Sequence, residues 1–204
     1  MANANRPSGL SPVGWLQGAN WTQKGRVYCI PNTDDTNAFA IGDPVVLDGG
    51  SNAAGVPTIT LATAGTGNPV LGAIVSGAGS PVYGGSYGVP ADSPIVIPAV
   101  KSRDYYVLVA DDPGTIFEVQ EDGLVTPLVA ADVGLNCNLI SGTNNGYISG
   151  WLLDSTSKAS GATLQCKLLR LAQTPIPGSN AFGIYAKWWV LINNHPLAPN
   201  TAGL

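Results

Sequence analysis

The chain has 204 residues, of which 11% are charged and 45% hydrophobic, with 26 Gly, 16 Pro and a net charge of -4. A length of this order suits about one domain and buries roughly 70% of the unfolded surface, enough for a core without a metal or disulfide staple. The acidic balance and the scarcity of Lys and Arg argue against a phosphate-neutralising surface, and so against DNA or RNA as a partner. No uninterrupted apolar run approaches the ~20 residues that cross a bilayer, which gives no membrane segment.

Residues 1–24 are rich in Asn, Gly, Ser and Pro without periodicity, yet carry Trp15, Leu16 and Trp21. A merely solvated tail has little reason to keep such side chains, so the expectation is an extended N-terminal arm that docks, followed by a single β domain over 25–204. The arm has no basic region leading into an apolar stretch, and Cys29, Cys137 and Cys166 show no Cys-x-x-Cys spacing. Buried reduced thiols in a chain made in a reducing cytosol are the expectation.

Strands are expected over 25–30, 39–47, 58–62 and 70–75, the last with Gly72 where another backbone approaches closely. Gly and Ser dominate 76–88, a loop long enough to suggest a partner contact and containing Tyr83 and Tyr87. A short edge strand at 95–97 is fenced by Pro94 and Pro98. Next comes a central hairpin over 103–122: strand formers Tyr105 to Val109, a turn at Pro113-Gly114 with Gly114 in the positive φ of a type II turn, and a second strand over 116–120.

Thr126, Pro127 and Gly134 have the cap, first-turn and stop chemistry of one short helix. Strands over 137–140, 147–153, 163–171 and 187–193 complete the chain. In the third of these Leu164, Cys166 and Leu168 share an apolar face, and Thr163, Gln165 and Lys167 the polar one. The fold class is all-β, an antiparallel barrel or sandwich with an extended N-terminal arm and one short helix.

Chemistry is sparse. Gly84-Gly85-Ser86-Tyr87-Gly88 matches the pattern of a nucleophile elbow, but an elbow needs a strand before the Ser and a helix after it, whereas Pro90 follows closely in a Gly-rich loop. A hydrolase would need Ser86. His195 is the single histidine and has no companion ligands for zinc. Asp111, Asp112, Glu118, Glu121 and Asp122 gather acid around the central hairpin without the ligand spacing of a calcium loop. Asn20-Trp21-Thr22 is a glycosylation sequon by pattern, without meaning unless the chain is secreted. The expectation is no catalytic residue, no metal and no cofactor.

The adjacent Trp188 and Trp189 point to opposite faces of one strand. Trp188 aligns with Val190 and Ile192 and belongs in a core; Trp189 aligns with Lys187, Leu191 and Asn193, the mixed make-up of a subunit interface.

The run Asp112-Pro113-Gly114-Thr115-Ile116-Phe117-Glu118-Val119-Gln120-Glu121-Asp122, with Ala131-Asp132-Val133-Gly134-Leu135-Asn136, resembles a segment of tailed-bacteriophage head decoration (cement) proteins. Residues 168–174, Tyr185-Ala186-Lys187-Trp188 and Val190-Leu191-Ile192-Asn193-Asn194-His195 resemble the C-terminal strands of the same family, so the likeness spans about the last half of the chain. The 76–88 loop and the Pro175-Ile176-Pro177-Gly178 turn are unlike the family's more polar connections.

The resemblance implies a virion structural protein, made in the host cytoplasm and placed on the outer surface of the capsid. It would clamp the major capsid protein lattice as a homo-oligomer, a trimer by preference. Trp15, Leu16, Trp21, Tyr83, Tyr87 and Trp189 are the candidate capsid or subunit contacts. A second class consistent with a Gly-rich, acidic, all-β chain is a tail-fibre or other virion module that binds host glycans.

Overall fold

The computed structural model describes residues 3–22, 24–78, 97–172 and 179–198. Strands β2 (Arg26–Ile30), β3 (Pro44–Ser51), β4 (Pro57–Leu61), β5 (Gly72–Ala78) and β6 (Tyr105–Ala110) close into a barrel in the order β2-β4-β3-β5-β6. All neighbours run antiparallel except β2 and β4, which meet in parallel at one rung, Cys29 opposite Thr58. Alternation sends Ile30, Val45, Ile59, Ile74, Val107 and Val109 into the barrel. Gly72 keeps the closure tight, because a Cβ there would collide with the Ala110 carbonyl oxygen.

A five-stranded antiparallel sheet lies beside the barrel in the order β1 (Ser11–Trp15), β7 (Thr115–Gln120), β12 (Lys187–Ile192), β11 (Cys166–Leu171), β8 (Asn136–Cys137). A small ladder pairs β9 (Leu139–Ile140) with β10 (Leu152–Leu153). Phe117, Val119, Leu168, Trp188 and Val190 of the sheet share one core with Ala62, Val70, Ala73 and Ala110 of the barrel segments. Ala73 and Ala110 are cross-strand partners whose neighbours Ile74 and Val109 fill the barrel, so the barrel turns small side chains outward where the sheet lies against it. The two cores meet at Leu61. The all-β class is therefore as expected.

Several expectations are corrected. The stretch 103–122 is not a hairpin: β6 belongs to the barrel and β7 to the sheet, and the turn between them is a crossover. Gly114 does not take a positive φ. The turn is held instead by Asp112, whose Oδ1 accepts the Gly114 N–H at 2.7 Å while its carbonyl accepts the Thr115 N–H at 2.9 Å. The helix shrinks to a single 3-10 turn, Ala130–Asp132, with a second at Ser155–Ser157. Pro127 sits too early to start the turn, and Asp132 reaches back to accept the Val129 N–H at 2.8 Å. The 147–153 stretch contributes a strand only at Leu152–Leu153, and Gln165 is fully buried instead of lying on a polar face.

The arm is extended, and it docks on its own chain. Asn3 exchanges hydrogen bonds with Ala181 at 2.8 and 3.0 Å, and Gln120 pairs with the Arg6 N–H and the Asn5 side chain. Leu10 is completely buried in the shared core, and β1 pairs with β7 along the sheet edge. We predict that Leu10→Ala lowers folding stability by about 2–5 kcal/mol, because the neighbouring strands cannot collapse into the gap. Urea unfolding measures this; an unchanged midpoint would show that the arm is accessory to the fold.

Candidate functional site

The outer face of the five-stranded sheet carries the mixed surface expected around Trp189. Along β12, Trp188, Val190 and Ile192 turn into the core and Lys187, Trp189 and Leu191 turn out, each half-buried. Cross-strand partners share a face, so Glu118 and Arg170 flank Trp189, and Ile116 and Lys167 flank Leu191. The Arg170 guanidinium stands 5.0 Å from the Trp189 ring centroid, and Lys187 Nζ pairs with Glu118 Oε1 at 3.0 Å. The Trp189 Nε1–H is screened from solvent and has no acceptor among the described residues. Such a strip is aromatic and aliphatic along its middle and charged at its rim. It suits adhesion to another surface.

The other predicted contacts are spread apart. Trp15 ends β1, and the exposed Leu16 sits at the tip of the turn that follows, its N–H bonded to the Gly114 carbonyl at 2.8 Å. Trp21 folds back against the shared core and donates Nε1–H to the Lys24 carbonyl at 3.2 Å. Tyr83 and Tyr87, with Ser86 and the whole Gly-x-Ser-x-Gly pattern, lie outside the described residues.

The acids that crowd the sequence around 111–122 part company in space. Asp111 accepts the Tyr28 hydroxyl at 2.7 Å and sits 3.3 Å from Arg26; Glu118 meets Lys187; Asp122 accepts the Ser155 hydroxyl at 2.6 Å. Among the described residues no three His, Cys, Asp or Glu side chains come together as a metal site.

Glu121 is fully buried, accepts the Leu128 N–H at 2.9 Å on Oε2, and has no hydrogen-bond partner for Oε1 among the described residues. Burial pushes its carboxyl up to about 7, against the help of the Leu128 and Ala186 backbone and despite Lys158. Burial also works against the charge on nearby Asp132, but the Lys158 ammonium at 2.8 Å and the Val129 N–H outweigh it and hold that carboxyl below its ordinary value.

His195 is buried, and its Nδ1 accepts the Leu197 N–H at 3.0 Å, which leaves the ring proton on Nε2 in the neutral form. Burial lowers its pKa despite Asp111 and nearby backbone carbonyls. The histidine is a structural tether. The three thiols are buried and unpaired, and burial raises the pKa of Cys29 to about 11 and of Cys166 to about 12, so none is an activated nucleophile. The functional feature that sequence reasoning missed is the Arg26–Asp111–Tyr28 cluster, in which Asp111 is 83 positions from Tyr28 and meets the two β2 side chains only through the pairing of β2 with β6 and the turn beyond it.

Glu121 yields a pH prediction. A carboxyl whose folded pKa lies above its unfolded value contributes stability that is present below about pH 4.5 and lost as the pH rises through about 7. Glu121→Gln keeps the acceptor for Leu128 and cannot ionise, so the variant should exceed the wild type in stability by on the order of 2–3 kcal/mol at pH 8, with the gap closing at pH 5. Urea titrations of both proteins at the two pH values test this, and a gap independent of pH would refute it.

Compared with known proteins, the chain matches no family model, no curated protein and no solved structure.

Proposed function

We propose that the chain is a non-enzymatic virion structural protein that decorates a bacteriophage capsid on its outer surface and stabilises it by binding the major capsid protein lattice. The observation that carries the reading is the outer face of the sheet. The segments that resemble decoration proteins fall largely on β7, β11 and β12, three adjacent strands that together display Trp189, Leu191 and Ile116 within a rim of Lys187, Glu118, Lys167 and Arg170. A surface of this make-up, with its buried titratable groups engaged in structural contacts, supports binding over turnover. A homo-oligomer, with a trimer preferred on the resemblance, strengthens such binding by repetition, because linked weak contacts raise effective concentration.

The protein should co-purify in many copies with intact phage heads, as judged by quantitative gel analysis of particles. Recovery in tails alone would overturn the assignment. Trp189→Ala should keep the chain folded, since it removes a half-buried ring and one cation–π contact worth about 0.5–1 kcal/mol. It should weaken self-association or head occupancy at least several-fold. Trp188→Ala, which empties a fully buried site, should instead cost about 3–5 kcal/mol of stability. Light scattering beside melting curves separates the two, and a Trp189→Ala protein of lowered melting temperature with unchanged oligomer mass and occupancy would defeat the interface.

A further inference from the structure

The barrel opens at the end where β2 begins. β2 and β4 touch at a single rung, and β3 and β4 carry a bulge between Leu47 and Ser51 before pairing again at Ser51 and Pro57, which leaves a gap beside β2. A groove of about 440 Å3 lies between them, walled by Leu47, Pro57, Leu197 and the ring of Tyr28, with Gly50 contributing no side chain and Arg26 at its side. Volume, apolar walls and a barrel mouth are the ordinary attributes of a small-molecule site.

The polar equipment is specific. Asp111 Oδ2 accepts the Tyr28 hydroxyl at 2.7 Å and lies 3.3 Å from Arg26 Nη1, an ion-pair contact with one nitrogen of the guanidinium. Burial and the neighbouring Asp111 raise the Tyr28 pKa, so the phenol stays protonated and keeps donating. Arg26 nonetheless has 71% of its side chain in solvent, and a guanidinium has five N–H donors, of which only those on Nη1 face Asp111. A guanidinium with free donors beside an apolar cleft is an anchor for a carboxylate, which it can grip through two parallel hydrogen bonds. Leu197, at the rim, is set in place by its N–H bond to His195.

The geometry points to a binding site for a small monocarboxylate with an extended apolar body, of the chemical class of a medium-chain fatty acid, its carboxylate on Arg26 and its chain along Leu47, Pro57 and Leu197. This site is separate from the outer face of the sheet and stands or falls independently of the capsid assignment.

Isothermal titration calorimetry of the full chain with decanoate, below its micellar concentration, tests the site, with decanol as the uncharged control. The wild type should bind decanoate at one site and more tightly than decanol. Arg26→Gln should weaken decanoate about tenfold or more and leave decanol unchanged. Gly50→Leu should abolish both, because a Cβ at Gly50 meets only Thr58 Oγ1 at 3.4 Å and a longer side chain enters the groove. No heat from decanoate with the wild type, equal affinity for decanoate and decanol, or unchanged affinity in Arg26→Gln would each overturn the proposal, and the Arg26 variant decides even if Gly50→Leu fails to fold.

Discussion

One buried amide joins the two halves of the fold. Gln165 is inaccessible to solvent, and all four of its side-chain hydrogen-bonding positions are taken. Oε1 accepts the N–H groups of Gly65 and Leu139, each at 3.0 Å, and Nε2 donates to the carbonyls of Thr63 and Asn68 at 2.9 and 3.2 Å. Three of those partners belong to the connection between β4 and β5 of the barrel, one to β9, and Gln165 itself leads into β11 of the sheet. Its own carbonyl accepts the Asn193 N–H at 2.7 Å. A satisfied buried network of this kind fixes one geometry, whereas an apolar side chain in its place would strand four backbone groups without partners. The register between barrel and sheet thus depends on a residue that alternation alone assigns to solvent.

The same logic governs the loops of both the barrel and the sheet. Lys101 is buried and directs its ammonium at the carbonyls of Asp34, Asn37 and Ala99, with the Phe39 ring 5.0 Å away, so a cation acts as the cap for two loops. Glu121 and Asp132 do the converse for the 123–133 connection, each accepting a backbone N–H that no strand supplies. In a chain with few charges, those that are buried close the ends of β structure where ladders run out. That is why an acid-rich stretch of sequence becomes a set of separate local clasps instead of one site.

What the sequence discloses follows from the range of each interaction. Strand positions with strict alternation, such as the Trp188-Trp189 pair, are legible because the period of two is a local property, and the core and surface roles of these two residues follow from it. The close approach at Gly72 is legible for the same reason. The 103–122 stretch misleads because a turn signal specifies a reversal of direction but not which strands pair across it; β6 and β7 each find better partners elsewhere. The helix at 126–134 is overridden by tertiary contacts, since Leu128 is drawn into the core and its N–H to Glu121. Asp111 lies 83 positions from Tyr28, and Gln165 reaches 97 to 102 positions back to its three barrel partners, so nothing in a local window announces either cluster.

Both borders of the five-stranded sheet are partly covered by the chain itself. On the β1 side the chain folds back on itself: Gly14 bridges Asn20, Trp15 N–H bonds the Ala19 carbonyl at 2.8 Å, and Trp21 N–H bonds the Val13 carbonyl at 3.2 Å. On the other side β8 is only two residues long, and Asn136 is already bridged to Ala159. Unpaired strand borders are what allow one sheet to continue into the next without limit. Where these groups are held by its own chain, the sheet offers fewer free backbone groups to a neighbouring copy, so that contact between copies falls more to side chains than to a continued ladder.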